Sequence, residues 1–322
     1  MDRLTRRLLA LALAVAACVT PQSQAAYPDK PIRMLVPFPA GGAADVVARI
    51  VAQPLSLALG AKIVIDNKAG ADGAIAGMEA AKAIPDGYTL LFATNTAICA
   101  SPTLRKAPPY DPIADFTPVS MVGRFSAFLF VHPSLPAKSV AELLAYARNH
   151  PGLLNYGTAS STSILATAQL KLLERLDIVH VPYKGEVQLN TDLVAGRVQM
   201  AIATPGVELQ HVRDGRLRVL ATLLGTRSPL APDVPTMAEA GVTQLTISPW
   251  AAVFGPARVP KEVVDRLSRA MAEVMARRDV LAQLDRYAFE GRSSTPEELR
   301  TFVRDQLEMW RRTVKAVGIT PD

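Results

Sequence analysis

Ile32-Arg33-Met34-Leu35-Val36-Pro37-Phe38-Pro39-Ala40-Gly41-Gly42-Ala43-Ala44-Asp45 is the stretch on which the fold of this 322-residue chain turns. Ile32–Phe38 is a nearly continuous apolar run, as expected of a strand buried on both faces. Pro39-Ala40-Gly41-Gly42 breaks it, and Ala43–Leu59 then places apolar residues at helical spacing. A strand that passes through a glycine turn into a helix opens an α/β unit. In an open α/β sheet, ligands bind outside the carboxyl ends of the strands. Gly41 and Gly42 let backbone approach a ligand closely. The free N–H groups of a helix start favour an anion. An ordinary tight strand-to-helix turn would read the same way. The turn matches neither the dinucleotide fingerprint nor the phosphate loop with its lysine, so nucleotide binding is not expected.

Outward from this turn, strand-like and helix-like segments alternate. Lys62–Asp66, Thr89–Ala93 and Thr117–Val122 read as further strands, with a helix opening at Gly70 and running to about Ala83. A second run follows. Its strands are Ala127–Val131, Leu154–Gly157, Ile178–Pro182, Val198–Ala203 and Leu217–Leu223. Its helices are Ser139–Asn149, Thr162–Leu176 and Glu186–Ala195. From Trp250 a last strand, Trp250–Phe254, leads into helices near Lys261–Met275, Asp279–Leu284 and Pro296–Val317. The alternation predicts an α/β fold with largely parallel sheets. Phe128-Leu129-Phe130-Val131-His132-Pro133, then Pro136 and a helix, is weakly repeated by Ala251-Ala252-Val253-Phe254-Gly255-Pro256, then Pro260 and a helix. Two α/β lobes, each entered by a similar unit, would account for the repeat.

Composition narrows the function classes. The chain is 49% hydrophobic and 20% charged, which argues against disorder. Aromatics are only 6%, too few for a base-stacking platform. Arg3, Arg6 and Arg7 carry part of the net charge of +6, and the remaining basic residues are scattered. No nucleic-acid stripe is expected. Residues 1–25 read as a signal peptide: a basic start, the apolar run Leu8–Val19, and Ser23-Gln24-Ala25 before a cut. The run is too short to span a bilayer. The mature chain is therefore expected in the periplasm. Val15-Ala16-Ala17-Cys18 also resembles a lipobox, which would make Cys18 a lipidated first residue. The one other cysteine, Cys99, sits in an apolar run and is read as inert core.

Two more turns lie between strands and helices. Tyr156-Gly157-Thr158-Ala159-Ser160-Ser161-Thr162-Ser163 sets several hydroxyls beside a helix start, a carboxylate cradle, although N-capping accounts for one of them. Val181-Pro182-Tyr183-Lys184-Gly185 offers a tyrosine at a bend. His132, His150, His180 and His211 show no metal-ligand spacing, and neither Gly-x-Ser-x-Gly nor His-Glu-x-x-His occurs. No catalytic residue and no cofactor is proposed on these grounds.

Tyr27-Pro28-Asp29-Lys30-Pro31-Ile32-Arg33 with Val36–Gly42 and Asp45 closely resembles the opening of the Bug-type, TctC-like extracytoplasmic receptors of tripartite tricarboxylate transporters. The likeness continues through Asn67–Gly73, Pro85–Leu91, Leu154–Gly157, Val181–Gly185, Thr191–Leu193 and Val234–Thr236. It covers essentially all of 27–322. It implies a periplasmic-binding-protein fold of type II kind: two α/β lobes, a ligand cleft and two crossovers. Lobe 1 would take 26–126 and 246–322, and lobe 2 would take 127–245. It implies a small organic acid as ligand, a membrane permease of the tripartite tricarboxylate type as partner, a monomer and no enzymatic activity. The implied ligand-binding residues are Pro39, Ala40, Gly41, Gly42, Ala43 and Ala44, then Thr158, Ser160, Ser161, Thr162 and Tyr183. Thr94 and Asn95, at a strand end, are placed in the same cleft. Asp45 is read as orienting the first loop, since a carboxylate would repel an anion. Two departures stand out: Ala43 and Ala44 replace a hydroxyl common in relatives, and Glu186 follows Tyr183-Lys184-Gly185. Glu186 is read as a solvated helix start, with repulsion of a dicarboxylate, or pairing with a ligand amine, as the alternative. A sensor that docks on a membrane signalling kinase would carry the same ligand site.

Overall fold

The computed structural model describes residues 27–319, except 184, 206, 207, 246 and 317. The expected leader, 1–25, and Cys18 lie outside the described residues.

The first strand is β1 (Ile32–Val36). Its turn leads into α1 (Ala43–Leu59), then β2 (Ile63–Asn67), α2 (Ala74–Ala81), β3 (Thr89–Thr94) and β4 (Phe116–Phe125). The chain then crosses over to β5 (Phe128–Val131), α3 (Val140–Asn149), β6 (Asn155–Thr158), α4 (Ser161–Glu174), β7 (Val179–Pro182), α5 (Glu186–Val194), β8 (Met200–Ala203), α6 (Glu208–Arg213) and β9 (Arg218–Thr222). A long return leads to β10 (Trp250–Pro256), α7 (Lys261–Met275), α8 (Arg278–Asp285), β11 (Phe289–Gly291) and α9 (Pro296–Ala316).

Two sheets result, ordered β11-β4-β10-β3-β1-β2 and β7-β6-β8-β5-β9. Each holds a parallel triad, β2-β1-β3 in one and β7-β6-β8 in the other. Each then accepts an antiparallel strand that arrives by crossover: β10 beside β3, and β5 beside β8. These two strands are the weak sequence repeat. A further antiparallel neighbour, β4 or β9, leads the chain out of its sheet. The expectation of largely parallel sheets is thus corrected to two mixed sheets. A strand fed in from the opposite lobe runs against the triad, whereas βαβ crossovers within a lobe make parallel neighbours.

Local chemistry sets the element ends. α1 stops at Gly60, left-handed at φ 74°, whose N–H returns to the carbonyls of Ser56 and Leu57. The helix expected from Gly70 begins only at Ala74. Asp72 (φ 53°) and Gly73 (φ 84°) take left-handed backbone, which no helix continues. A Cβ on Gly73 would lie 2.8 Å from the Ala97 Cβ, so the position also needs the missing side chain.

One face of the first sheet packs on α1 and α7 through Val47, Val51, Leu55, Leu267 and Met271. The other face runs without a break into the core of the second sheet through Trp250, Phe254 and the buried stripe of α9, which includes Trp310. Full burial of each such aromatic contributes about 2–3 kcal/mol. The ends of β1, β3, β6 and β8 are thereby held on a continuous core.

Candidate functional site

The Pro39–Ala43 loop is exposed, whereas Asp45 is only 1% exposed. Both Asp45 oxygens face inward. Oδ2 accepts from the Gly41 N–H at 2.8 Å and from Arg49 Nε at 2.9 Å, and Oδ1 accepts from Asn67 Nδ2 at 2.9 Å. Asn67 Nδ2 also reaches the Phe38 carbonyl at 3.0 Å. Burial raises the Asp45 pKa. The bonds from Arg49, Gly41 and Asn67 outweigh it and hold the carboxyl at about 2. The side chain therefore pins the loop to β2 and has no oxygen turned to the cleft.

This arrangement leaves the start of α1 open. Gly42 is its N-cap and supplies no side chain. The first bonded N–H is that of Val46, to the Gly42 carbonyl at 2.9 Å. The N–H groups of Ala43, Ala44 and Asp45 meet no acceptor among the described residues. They lie at the positive end of a 17-residue helix. α4 differs: Ser160 accepts from the Ser163 N–H at 3.2 Å, and the Ser163 hydroxyl meets the Ser160 N–H at 3.1 Å, a closed capping box.

The hydroxyls of the second loop are thus mostly engaged. Ser160 and Ser163 cap α4. Thr158 Oγ1 lies 2.7 Å from His180 Nε2. Thr162 Oγ1 accepts from Asn95 Nδ2 at 2.7 Å. Ser161 has no hydrogen-bond partner for its hydroxyl among the described residues. Tyr183 donates its hydroxyl to Asp192 Oδ2 at 2.9 Å, and its N–H to the Thr158 carbonyl at 2.8 Å. Its hydroxyl is held within the second lobe.

The Asn95–Thr162 bond joins the two lobes. Asn95 follows β3, is 2% exposed, and accepts the Trp250 N–H at 3.3 Å on Oδ1. Beside it Thr94 is 4% exposed, and its hydroxyl meets no partner. An orphan buried hydroxyl at a strand's carboxyl end is an unfilled hydrogen-bonding position. Ser160, Thr162 and Ser163 share a small cavity with Glu186, Thr204 and Pro249. It measures about 30 Å³, room for about two water molecules. No hydrogen bond among the described residues links the Pro39–Ala44 loop to the Thr158–Thr162 loop.

Glu186 starts α5 and is exposed, yet it lines that cavity and accepts from Thr204 Oγ1 at 3.3 Å. Burial, and then the Glu208 carboxylate, push its pKa up. Sequence reasoning left Arg49, Asn67, Ser163 and Thr204 outside the candidate set. Arg49 carried a signal, because it stands four residues after Asp45 on one helix face. Asn67 opens one of the stretches that carry the resemblance, but its contact with Asp45 follows only from the β1–β2 register, which places it opposite Val36. Among the described residues no three His, Cys, Asp or Glu side chains are grouped to hold a metal. Cys99 is fully buried, and burial pushes its thiol pKa up.

The model of the tripartite tricarboxylate transporter family receptor matches residues 47–319. The BugT protein of Bordetella pertussis is 36% identical over 321 residues, spanning 97% of this chain and 98% of that protein. Among solved structures, Rpa4515 of R. palustris, described with adipate, is 34% identical with a TM-score of 0.75, covering 92% of this chain and 100% of the other. MatC of Rhodopseudomonas palustris, described with bound malate, is 28% identical with a TM-score of 0.69, covering 89% and 100%. Two mixed sheets joined by two crossovers, an open helix start at the end of β1 and end-to-end similarity agree: the chain belongs to the tripartite tricarboxylate transporter receptor family, with the two-lobed fold of periplasmic binding proteins.

Proposed function

We propose that this chain captures a small organic carboxylate in the cleft between its lobes and delivers it to a membrane permease of the tripartite tricarboxylate type. The observation that carries this reading is the uncapped start of α1. Three N–H groups at Ala43, Ala44 and Asp45 have no acceptor among the described residues, and a carboxylate oxygen supplies one. The Thr94 hydroxyl and Ser161 add neutral donors. Such a site binds an anion through dipoles and hydrogen bonds, without a buried countercharge. Adipate and malate in the two relatives support the ligand class.

Lobe 1 takes 26–126 and 246–322, lobe 2 takes 127–245, and closure by hinge bending brings the Gly41 and Ser161 loops to one ligand. The protein acts as a monomer in the periplasm, after export on residues 1–25, with Cys18 as the alternative lipid anchor. It performs no chemistry on the ligand and releases it unchanged.

A thermal-shift panel of mono-, di- and tricarboxylates, each beside its amide, tests this. A ligand that binds only the folded state at a hundred times its Kd stabilises by about 2.7 kcal/mol. A shift with one carboxylate and none with its amide is expected. Equal shifts with acid and amide, or shifts with amines alone, would overturn the reading.

A further inference from the structure

One cavity lies away from both the Gly41 and the Ser160 loops. It measures about 460 Å³ and lies at the β11–β4 edge of the first sheet, with β10 and β3 between it and β1, which carries the Gly41 loop. Its floor is β4 and β11, its roof the first turns of α9, and its side Gly225 and Thr226 on the return crossover. Four charged residues line it: Arg124, Arg292, Glu290 and Glu298.

The two acids each accept a hydrogen bond; the two arginines donate none among the described residues, and their charges are offset only through space, Arg124 by Glu290 and Arg292 by Glu298. Glu298 accepts the Thr295 N–H at 2.8 Å, which closes the start of α9. Glu290 accepts from Thr226 Oγ1 at 3.2 Å, which ties β11 to the crossover. Neither guanidinium has a hydrogen bond or ion pair among the described residues. Arg124 is half-buried, and its guanidinium carbon stands 5.6 Å from the centre of the Phe302 ring. A half-buried guanidinium with five donors and no acceptor is incompletely satisfied. Phe302, Leu299 and Met121 supply apolar wall beside it.

We propose that this cavity is a second binding site, separate from the cleft, for a monocarboxylate with a flat apolar body. The guanidinium forks of Arg124 and Arg292 match a carboxylate, while Phe302 and Leu299 cover the body. The place matters as well as the chemistry. The occupant would touch β4, β11 and the crossover together, and so would sit at the hinge. Phe302 also packs edge-on against Trp250 at 5.3 Å, and the Trp250 N–H is the one held by Asn95, the residue that reaches Thr162 across the cleft. A ligand at the hinge thus has a packed route to the cleft.

Calorimetry with benzoate as probe, and benzamide as its neutral control, tests the site on purified protein. Wild type is expected to bind benzoate and not benzamide. Arg124→Gln should weaken benzoate at least tenfold. Arg292→Gln, at an exposed position that folding tolerates, should weaken it several-fold and decides the matter if Arg124→Gln fails to fold. Ala43→Asp, which fills the open start of α1 in the cleft, should leave benzoate affinity within twofold. No heat with benzoate in wild type, equal binding of benzamide, or binding lost in Ala43→Asp and kept in either arginine variant would overturn the proposal.

Discussion

Asp45→Asn removes one charge and almost no volume, and its cost follows from the structure. In the folded chain the carboxyl titrates at about 2, against 3.8 for the free side chain. Each unit of displacement is about 1.4 kcal/mol, so the ionised form contributes about 2–3 kcal/mol at neutral pH. The sign is that of a depressed carboxylate. The contribution is complete above about pH 5, starts to fall as pH approaches 3.8, and is nearly gone at 2. The substituted amide would turn an NH2 toward the Gly41 N–H or Arg49, so the variant should lose about 2–3 kcal/mol at pH 7. Urea denaturation of both proteins at pH 7 and pH 3 reads the difference. By pH 3 the gap should shrink by about 1 kcal/mol, because wild type has begun to lose what the variant never had. A gap that stays constant between pH 7 and 3 would mean that shape, not charge, holds the Gly41 loop. A gap below about 0.5 kcal/mol at pH 7 would mean that the loop does not depend on Asp45.

Other changes separate stability from binding. Ala43→Asp places a carboxylate on the open start of α1. It should stabilise the protein by about 0.5 kcal/mol in thermal melts while weakening a bound carboxylate at least tenfold by calorimetry. Thr162→Val leaves Asn95 Nδ2 without its acceptor across the cleft. A loss of about 1–2 kcal/mol in denaturant titration is expected, with a larger radius of gyration in solution scattering if that bond holds the lobes together. Glu186→Gln relieves a carboxylate whose pKa is raised by burial and by Glu208. A raised acid destabilises above its folded pKa and recovers as pH falls, so the variant should melt higher than wild type at pH 7 and equal to it near pH 4.

Much of the fold was legible because each segment carried its own period. The apolar run before Gly41, the helical spacing after Gly42 and the repeated Phe128 and Ala251 units are all local. Strand direction was not. That β10 and β5 run antiparallel to their neighbours depends on crossovers between the sheets, one more than 20 residues long from Thr222 to Trp250 and the other only the two residues between Phe125 and Phe128. β11 is three residues and α6 is six, too short for a periodic signal. At the site, the sequence located the loops but not the state of each donor. The hydroxyls of the 156–163 turn read as a cradle, yet Ser160 and Ser163 bond each other and Thr162 bonds Asn95. The open donors lie instead on the backbone at Ala43, Ala44 and Asp45, where side-chain identity says least. Thr94 carried a partial signal, a polar residue ending an apolar strand. That its hydroxyl is buried without a partner appears only in three dimensions.

The central claim is that the open start of α1 takes a carboxylate. Amide NMR of isotope-labelled protein, titrated with the carboxylate that stabilises it most, tests this at the atoms concerned. The N–H signals of Ala43, Ala44 and Asp45 should move downfield together and saturate with the ligand, and the matching amide should leave them in place. Saturable binding that shifts other amides and leaves those three unmoved would contradict it.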